Sequence, residues 1–266
     1  MDLGLKGKTA IITGGSSGIG KAVAREFGRE GVEVALVSRT IENLAATAKE
    51  LAAETGGRYT CIAADTSSED SIKAMVQRAA GELGHLDILV NGAARVGGSR
   101  PAPILAEITV EDFWDDMKTK VLGYLMCARE VAPHMISQGW GRIINISGLA
   151  ARQSGTIIGS MRNVSVAAMT KNLADQLGPQ GINVTVVHPG LTRTERTAAL
   201  VEAQMSSQGI TAEEAEKRMA SNISIGRMVD AEEIAYVITF LASPRSVAIN
   251  GDAIATAGGS GRATHY

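Results

Sequence analysis

Aromatic residues are scarce in this chain of 266 residues, and neither sign of charge is in excess. Aromatics make up 3% of the sequence, too few for a surface that stacks on nucleic-acid bases. Lys and Arg number 26 against 28 Asp and Glu, so the net charge is −2 and no positive field is available to hold a phosphate backbone. We therefore expect no nucleic-acid partner.

The sequence also lacks long hydrophobic runs, a signal peptide and a metal-binding spacing of cysteine. Its apolar stretches are far shorter than the ~18 residues of a membrane span, and residues 1–9 contain no apolar signal segment. The two cysteines, Cys61 and Cys127, lie in apolar periodic segments, as small buried side chains would. We expect a cytoplasmic protein with no membrane partner and no metal.

Glycine is plentiful: it accounts for 30 of the 266 residues, a larger share than the usual ~7%. Short apolar runs alternate along the chain with segments that have the periodicity of amphipathic helices. This alternation predicts parallel strands joined by right-handed crossovers, with helices on both faces of one sheet. No linker or change of composition divides the chain, so residues 1–266 are predicted to form one domain. The predicted strands are Lys8–Thr13, Val32–Ser38, Arg58–Ala64, Leu86–Val90, Arg142–Ile146 and Ile182–Val187, with a last apolar run at residues 247–254.

Two helices and one insert also stand out in the second half of the chain. Thr109 to Asp112 forms a capping box that is predicted to start a helix running to about residue 137, and residues 159–177 form another helix. A polar insert of about residues 194–224 interrupts the alternation, and we expect it to cover a substrate site. In such sheets, ligands bind at the carboxyl ends of the strands.

A glycine-rich turn follows the first predicted strand and precedes a helix, which is the order that phosphate binding requires. Its sequence, residues 13–20, is Thr-Gly-Gly-Ser-Ser-Gly-Ile-Gly. The glycines permit a sharp turn, a close approach of the backbone to a pyrophosphate and close packing of helix on sheet, while free N–H groups receive the phosphates. A tight turn without a ligand is the alternative. The predicted contacts are Gly14, Ser16, Ser17, Gly18, Ile19 and Gly20.

This TGxxxGIG spacing resembles the short-chain dehydrogenase/reductase family, and further segments resemble the family's motifs in the same order along nearly the whole chain. The resemblance implies a single-domain Rossmann fold with a doubly wound, seven-stranded parallel sheet. It also implies a nicotinamide cofactor, a small-molecule substrate, and a homotetramer or homodimer. Further cofactor contacts are implied after the third, fourth and sixth strands. These are Asp65, Thr66, Asn91, Gly92, Ala93, Pro189, Gly190, Thr192 and Thr194.

The end of the second predicted strand bears on the choice of cofactor. A member that prefers NAD would carry an acidic residue near Ser38 to hold the ribose hydroxyls. Ser38 is neutral, and the guanidinium of Arg39 can pair with a 2′-phosphate. We therefore predict NADP as the cofactor rather than NAD. The alternative is a solvated arginine before the helix cap at Thr40.

The resemblance also implies an Asn-Ser-Tyr-Lys tetrad, in which Tyr exchanges a proton with the substrate oxygen and Lys lowers the Tyr pKa and holds the cofactor ribose. Aligned through residues 145–147 with the family's usual spacing, the chain carries none of the four side chains at the expected positions. It has no tyrosine between positions 124 and 236. We therefore expect a site without the family's proton donor. The four aligned positions are Lys120, Gly148, Met161 and Ser165.

Helical spacing predicts which side of the following helix faces this site. That side would be nearly apolar and would lack a general acid, because a thioether cannot give a proton. Arg162 and Asn163 would point elsewhere, as structural or interface residues. The residues predicted on the facing side are Met161, Val164, Ser165 and Ala168.

Few other residues could supply a proton. Lys120 is a candidate if burial lowers its pKa, and a helix lysine that reaches solvent or packs with Asp116 is the alternative. His188 follows the sixth strand and could titrate near neutrality, with a role in fixing the turn as the alternative. Ser147 is expected to point across the sheet, away from the site. Residues 152–154 could contact substrate.

These features leave three functions open. The first is an NADP-dependent oxidoreductase with a non-standard proton donor that acts on a small carbonyl or enone compound. The second is a catalytically silent homologue that binds cofactor in a binding or regulatory role. The third is a non-redox isomerase or lyase that uses the same pocket. The intact glycine turn favours the first, because it indicates that cofactor binding is still in use.

Overall fold

A parallel β-sheet forms the centre of the protein in the computed structural model, which describes residues 1–94 and 104–261. The strands are β1 (Thr9–Thr13), β2 (Glu33–Ser38), β3 (Tyr59–Ala63), β4 (Ile88–Asn91), β5 (Gly141–Ile146), β6 (Ile182–Pro189), β7 (Thr192–Arg193), β8 (Val229–Asp230) and β9 (Ala253–Thr256). Seven of them form one sheet in the order β3-β2-β1-β4-β5-β6-β9, while β7 pairs with β8. Successive strands are thus added toward one edge of the sheet as far as β3 and toward the other edge from β4 onward, so the strand order reverses between β1 and β4. The predicted doubly wound Rossmann fold is confirmed.

Helices pack on both faces of the sheet, because successive side chains of each strand point to opposite sides. They are α1 (Gly18–Arg29), α2 (Ile41–Thr55), α3 (Glu69–Leu83), α4 (Val110–Met117), α5 (Gly123–Gln138), α6 (Ile157–Leu177), α7 (Glu195–Gln208), α8 (Ala212–Met219) and α9 (Ala231–Ala242). On β1, Ile12 packs with α1 and α9, whereas Ile11 packs with α3 and α5. Within the described ranges, none of the helices combines the length and apolarity needed to cross a membrane.

The helix predicted from residue 109 to about 137 is interrupted. Its start is as predicted, because Thr109 Oγ1 accepts a hydrogen bond from the Asp112 N–H at 3.0 Å. Residues 118–122 then form one π turn between α4 and α5. A π turn adds a residue to the helical repeat and so changes which side chains face the sheet. Here the turn carries the buried side chain of Lys120.

The last strand begins later than the apolar run at residues 247–254 predicts. β9 starts at Ala253, and Val247 is 64% exposed. The Asn183 side chain of β6 donates hydrogen bonds to the carbonyls of Val247 and Ile249, at 2.9 and 3.1 Å. Because these carbonyls are bonded to a side chain, the first part of the run forms a turn beside β6 and not a strand.

A chain of buried hydrogen bonds joins the carboxyl ends of β4 and β5 to α6. Asn91 Nδ2 donates to Asn145 Oδ1 at 2.9 Å, and Asn145 Nδ2 donates to Thr170 Oγ1 at 2.9 Å. The Thr170 hydroxyl donates in turn to the Val166 carbonyl at 2.8 Å. The three polar side chains are fully buried, and the bonds use the amide N–H groups of both asparagines and the Thr170 hydroxyl. They therefore reduce the cost of burying these groups, although Asn91 Oδ1 has no hydrogen-bond partner within the described residues.

Replacing Thr170 with Val is expected to destabilise the protein, because the change keeps the shape but leaves the Asn145 amide without an acceptor. An unpaired buried donor costs about 1–3 kcal/mol, and each kcal/mol lowers the Tm by ~2–4 °C in a domain of this size. Thermal unfolding measures the effect, with Thr170→Ser, which keeps the hydroxyl, as the control. Equal Tm values for Thr170→Val and the wild type would contradict this role.

Candidate functional site

The glycine-rich turn lies where β1 and β4 end side by side. Thr13 Oγ1 accepts hydrogen bonds from the N–H groups of Gly92 and Ala93, at 3.1 and 3.2 Å. Gly14 has a φ of +72°, and a Cβ atom there would lie 2.8 Å from the Gly92 carbonyl oxygen. Only glycine fits both the backbone angle and the close approach. The two predicted contact segments therefore meet at one edge of the sheet.

The N-terminus of α1 already holds an anionic group. The Gly18 N–H donates to Glu195 Oε2 at 3.1 Å, and the Ser17 side chain makes no cap hydrogen bond. A carboxylate oxygen thus takes the kind of place that a phosphate oxygen takes at the positive end of a helix dipole. By this contact, residues 13–20 fit the pyrophosphate of a dinucleotide.

The predicted contacts for the adenosine half of the cofactor lie at the ends of β2 and β3. Ser38 ends β2, and the following Arg39 is exposed. The Asp65 carboxylate accepts hydrogen bonds from the Ser67 N–H and hydroxyl at 2.9 and 2.8 Å. These bonds lower the pKa of Asp65, and the positive charge of Arg39 adds to the effect. Arg39 and Asp65 therefore lie within electrostatic range of each other.

The predicted contacts after β6 lie against the glycine turn. The Thr192 hydroxyl donates to the Gly190 carbonyl at 3.0 Å, and Thr194 is the N-cap of α7. A Cβ atom on Gly18 would lie 3.5 Å from Thr194 Cγ2. The structure brings this segment and the turn together, while their binding of a cofactor stays a prediction.

Two of the predicted contacts are buried in the edge of the sheet. Asn91 is fully buried, and its amide donates to Asn145. Thr66 is buried as well, and its carbonyl lies so close to Gly123 of α5 that a Cβ there would overlap it. The Asn91 side chain therefore joins strand ends, and the position of Thr66 leaves room only for glycine at the start of α5.

Lys120 is buried at the same edge and does not reach solvent. Its side chain is 5% exposed, and Nζ donates to the Ser147 carbonyl at 2.7 Å. Burial, together with the positive charge of Arg162 and against the negative charge of Asp116, lowers the pKa of Lys120 to about 7. The expected alternative of a solvated lysine is wrong, because the π turn directs this side chain inward.

On α6, the residue beside Gly148 is Asn163. Asn163 is 4% exposed, and a Cβ atom on Gly148 would lie 2.9 Å from its Nδ2 atom. The Ser147 hydroxyl donates to the Asn163 carbonyl at 3.1 Å. The expectation that Asn163 points elsewhere is wrong, and so is the expectation that Ser147 points across the sheet. Both side chains lie between β5 and α6, next to Lys120.

Met161 and Ser165 are not brought to Gly148. Each is two residues from Asn163, which at ~100° per residue places it on nearly the opposite side of α6. Met161 is 48% exposed. The Ser165 hydroxyl donates a hydrogen bond to the Met161 carbonyl at 2.8 Å. The position one turn before Asn163, at the four-residue spacing of the family's Tyr and Lys, is Gly159. The connection between Gly148 and α6 is therefore two residues shorter than the family's usual spacing, which is why Gly159 and Asn163, and not Met161 and Ser165, lie at the positions of the family's Tyr and Lys.

An ion pair links α4 to α6 beside these residues. Arg162 Nη1 lies 2.6 Å from Asp116 Oδ1, with both side chains largely buried. Arg162 Nε also donates to Asn163 Oδ1 at 3.4 Å. Asp116 is one helical turn before Lys120. The sequence offers one signal for the Arg162 side of this pair: two polar residues, Arg162 and Asn163, follow each other within the predicted helix.

His188 is buried beside this group and stays neutral. It is 1% exposed, and Nδ1 has no hydrogen-bond partner within the described residues. Burial lowers the pKa of His188 to about 4, and the positive charges of Arg152 and Lys120 act in the same direction. The interpretation of His188 as a group that titrates near neutrality is wrong, because the end of β6 gives the imidazole no counter-charge.

A cavity of about 630 Å³ opens at Leu149, the residue after Gly148, and none of the described residues that line it is charged. Leu149 and Gln153 contribute from the segment after β5. Of the residues 152–154 that the sequence predicts to contact substrate, Gln153 lines the cavity. Met219, the last residue of α8, and Asn222, which follows that helix, close another side. The cavity therefore has the size and lining of a site for a small, uncharged molecule.

Comparison with known proteins assigns the family. The short chain dehydrogenase family matches residues 8–205 of the chain. The chain belongs to this family. It is also 33% identical, over 262 residues, to the putative ketoacyl reductase of Streptomyces coelicolor, in an alignment that covers 96% of this chain and 97% of that protein.

Solved structures share the fold of this short chain dehydrogenase from end to end. L-Sorbose reductase from Gluconobacter frateurii, complexed with NADPH and L-sorbose, superposes with a TM-score of 0.91 and 29% identity, over 98% of each chain. A variant of actinorhodin polyketide ketoreductase with NADPH superposes with a TM-score of 0.86 and 32% identity, over 95% of this chain and 96% of that one.

Replacing Glu195 with Gln is expected to strengthen the binding of NADPH, because the carboxylate competes with phosphate for the Gly18 N–H and repels it. A charge at a helix terminus is worth about 0.3–1 kcal/mol, so the Kd should fall about two- to fivefold at low salt. Fluorescence titration measures it. Glu202→Gln, which removes an exposed charge from the same helix, is the control, and equal Kd values for the two variants would contradict the competition.

Proposed function

We propose that the protein is an NADP-dependent oxidoreductase that reduces a small carbonyl or enone compound and takes its proton from Lys120. The observation that carries the proposal is the position of Lys120, whose ammonium is buried at the carboxyl edge of the sheet beside Gly148. Of the lysines in the described ranges, it is the one with a buried side chain. A proton donor of this kind is needed because the chain has no tyrosine from position 125 to 235.

NADP is favoured as the cofactor by the end of β2. Ser38 provides no carboxylate for ribose hydroxyls, and the exposed guanidinium of Arg39 offers paired donors to a 2′-phosphate. The two solved structures described above contain NADPH. The glycine turn would hold the pyrophosphate, as its contact with Glu195 supports.

The reduction requires a hydride and a proton, and the chain's own residues handle the proton. Bound NADPH supplies the hydride to the substrate carbon. Lys120 Nζ gives a proton to the substrate oxygen, so that a carbonyl becomes an alcohol, and the neutral amine then recovers a proton from water. With a pKa of about 7, the ammonium is a far stronger acid than an ordinary lysine, and general acid catalysis is worth about 10²–10⁴-fold.

The cavity supports a neutral substrate. Its described lining is uncharged and includes the polar groups of Gln153 and Asn222, which can donate and accept hydrogen bonds. A charged substrate would lose water without gaining a counter-ion there. Residues 219–224 belong to the insert of about residues 194–224, which supports its proposed role in covering the substrate.

Replacing Arg39 with Ser is expected to weaken the binding of NADPH but not of NADH, because only NADPH carries the 2′-phosphate. Hydrogen bonds to charged groups are worth about 1.5–3 kcal/mol, so the Kd for NADPH should rise about tenfold or more. Direct titration with both dinucleotides measures the change. Arg58→Ser is the control, because it removes an exposed arginine directly before β3, at the edge of the sheet opposite to Arg39. Wild-type binding of NADH that is tighter than that of NADPH would reject the assignment.

Replacing Lys120 with Met is expected to lower kcat for carbonyl reduction about 10²–10⁴-fold. In the wild type, the rate should fall as the pH rises through about 7, because only the protonated amine can donate. NADPH oxidation over a panel of neutral carbonyl and enone compounds measures both effects. Lys118→Met, an exposed lysine in the same π turn, is the control.

The charges that face Lys120 predict how this pH profile moves. The charged groups are Asp116 at the end of α4 and Arg162 on α6. His188 on β6 also faces Lys120 but is neutral. Asp116→Asn removes a negative charge that raises the pKa of Lys120, so the fall in rate should shift to lower pH. A profile that Lys120→Met or Asp116→Asn leaves unchanged would reject Lys120 as the donor. NADPH binding without oxidation of any compound would instead favour the silent homologue.

A further inference from the structure

Lys120 and Asn163 meet at Ser147 from two different helical segments. We propose that this site holds one cation, that Asn163 is the residue that positions it, and that the lysine and the amide have exchanged places between the π turn and α6 relative to the family pattern. The proposal rests on the proposed role of Lys120 and adds a role for Asn163. It follows from which residues touch Ser147, not from the spacing of the sequence.

Hydrogen bonds connect both residues to the same serine. Lys120 Nζ donates to the Ser147 carbonyl at 2.7 Å, and the Ser147 hydroxyl donates to the Asn163 carbonyl at 3.1 Å. All three residues are buried. The Asn163 backbone is therefore already at hydrogen-bonding distance from Ser147, and the longer side chain of a lysine at 163 could reach the carbonyl that Lys120 now occupies.

The charges around Ser147 allow one ammonium and not two. Asp116 is already paired with Arg162 at 2.6 Å, and Arg162 in turn contacts Asn163 Oδ1 at 3.4 Å. His188 is neutral and cannot act as a counter-ion to an ammonium. A second ammonium would therefore be buried next to the first with no further counter-ion identified for it among residues 1–94 and 104–261, which is strongly unfavourable.

Space beside Gly148 points to the same exchange. The Asn163 amide fills this space, since a Cβ at Gly148 would lie 2.9 Å from Nδ2. Gly159, one turn earlier on α6, places no side chain there. The amide thus packs against the segment that follows β5, while the ammonium comes from the π turn.

The exchange is tested by four proteins: the wild type, Lys120→Asn, Asn163→Lys and the double variant. Asn163→Lys alone should lower the Tm by about 5 °C or more, as expected for an unpaired buried charge. The double variant should recover most of that loss and should again show one lysine with a strongly lowered pKa by NMR titration. Its NADPH-oxidation rate should exceed that of Lys120→Asn at least tenfold.

Ser165→Lys, alone and combined with Lys120→Asn, is the matched control, because Ser165 lies on the other side of α6. Its effects on Tm should simply add to those of Lys120→Asn. Additive Tm changes for Lys120→Asn and Asn163→Lys, or a stable Asn163→Lys single variant, would overturn the exchange. If Asn163→Lys alone does not fold, a folded double variant supports the proposal and an unfolded one overturns it.

Asn163→Asp tests the positioning role with almost no change of shape. A carboxylate at 163 would raise the pKa of Lys120, so its NMR titration should move to higher pH. An unmoved titration would show that Asn163 does not act on Lys120. The Tm and the NMR titration do not require turnover, so a protein that oxidises no NADPH fails the proposed function while leaving this test intact.

Discussion

A buried ammonium must be hydrogen-bonded, and this requirement ties together the elements around Lys120. Its Nζ atom bonds to the Ser147 carbonyl and so joins the π turn to the end of β5. The hydroxyl of the same serine bonds to the Asn163 carbonyl and joins β5 to α6. A shift of any one of these three segments would leave a polar group unpaired in the interior. The geometry beside the cavity therefore depends on keeping this one charge buried.

The surroundings of Lys120 lower its pKa without removing its positive charge altogether. Burial favours the neutral amine, and Arg162 acts in the same direction, but Asp116 opposes them and holds the pKa at about 7. An amine in this range is charged in part of the molecules near neutral pH, whereas an exposed lysine stays charged throughout. At the other end of the site the glycine turn is arranged for the opposite sign, since its N–H group holds a carboxylate. One edge of the sheet thus presents an anion site and a weak acid.

The strands, the glycine turn and the cap at Thr109 could be predicted because each depends on residues that are neighbours in sequence. The face of α6 could not, because it depends on the length of the connection after β5. An error of two residues in that length turns the helix by about 200°, so Met161 and Ser165 were expected where Gly159 and Asn163 lie. The π turn was missed for a similar reason: residues 118–122 have an ordinary helical composition, and only packing against Ser147 shows why Lys120 faces inward.

Gly148 and Asn163 constrain each other, and this bears on how such a site could arise. A side chain at 148 would place its Cβ 2.9 Å from the Asn163 amide, closer than packed atoms accept without movement. A serine at 148 therefore requires the Asn163 amide to move, and a lysine at 163 would bury a second positive charge near Lys120. The proposed departures from the family tetrad are then one coupled set. Restoring serine at 148 alone in this background would press on the Asn163 amide, and restoring lysine at 163 alone would add an unpaired buried charge.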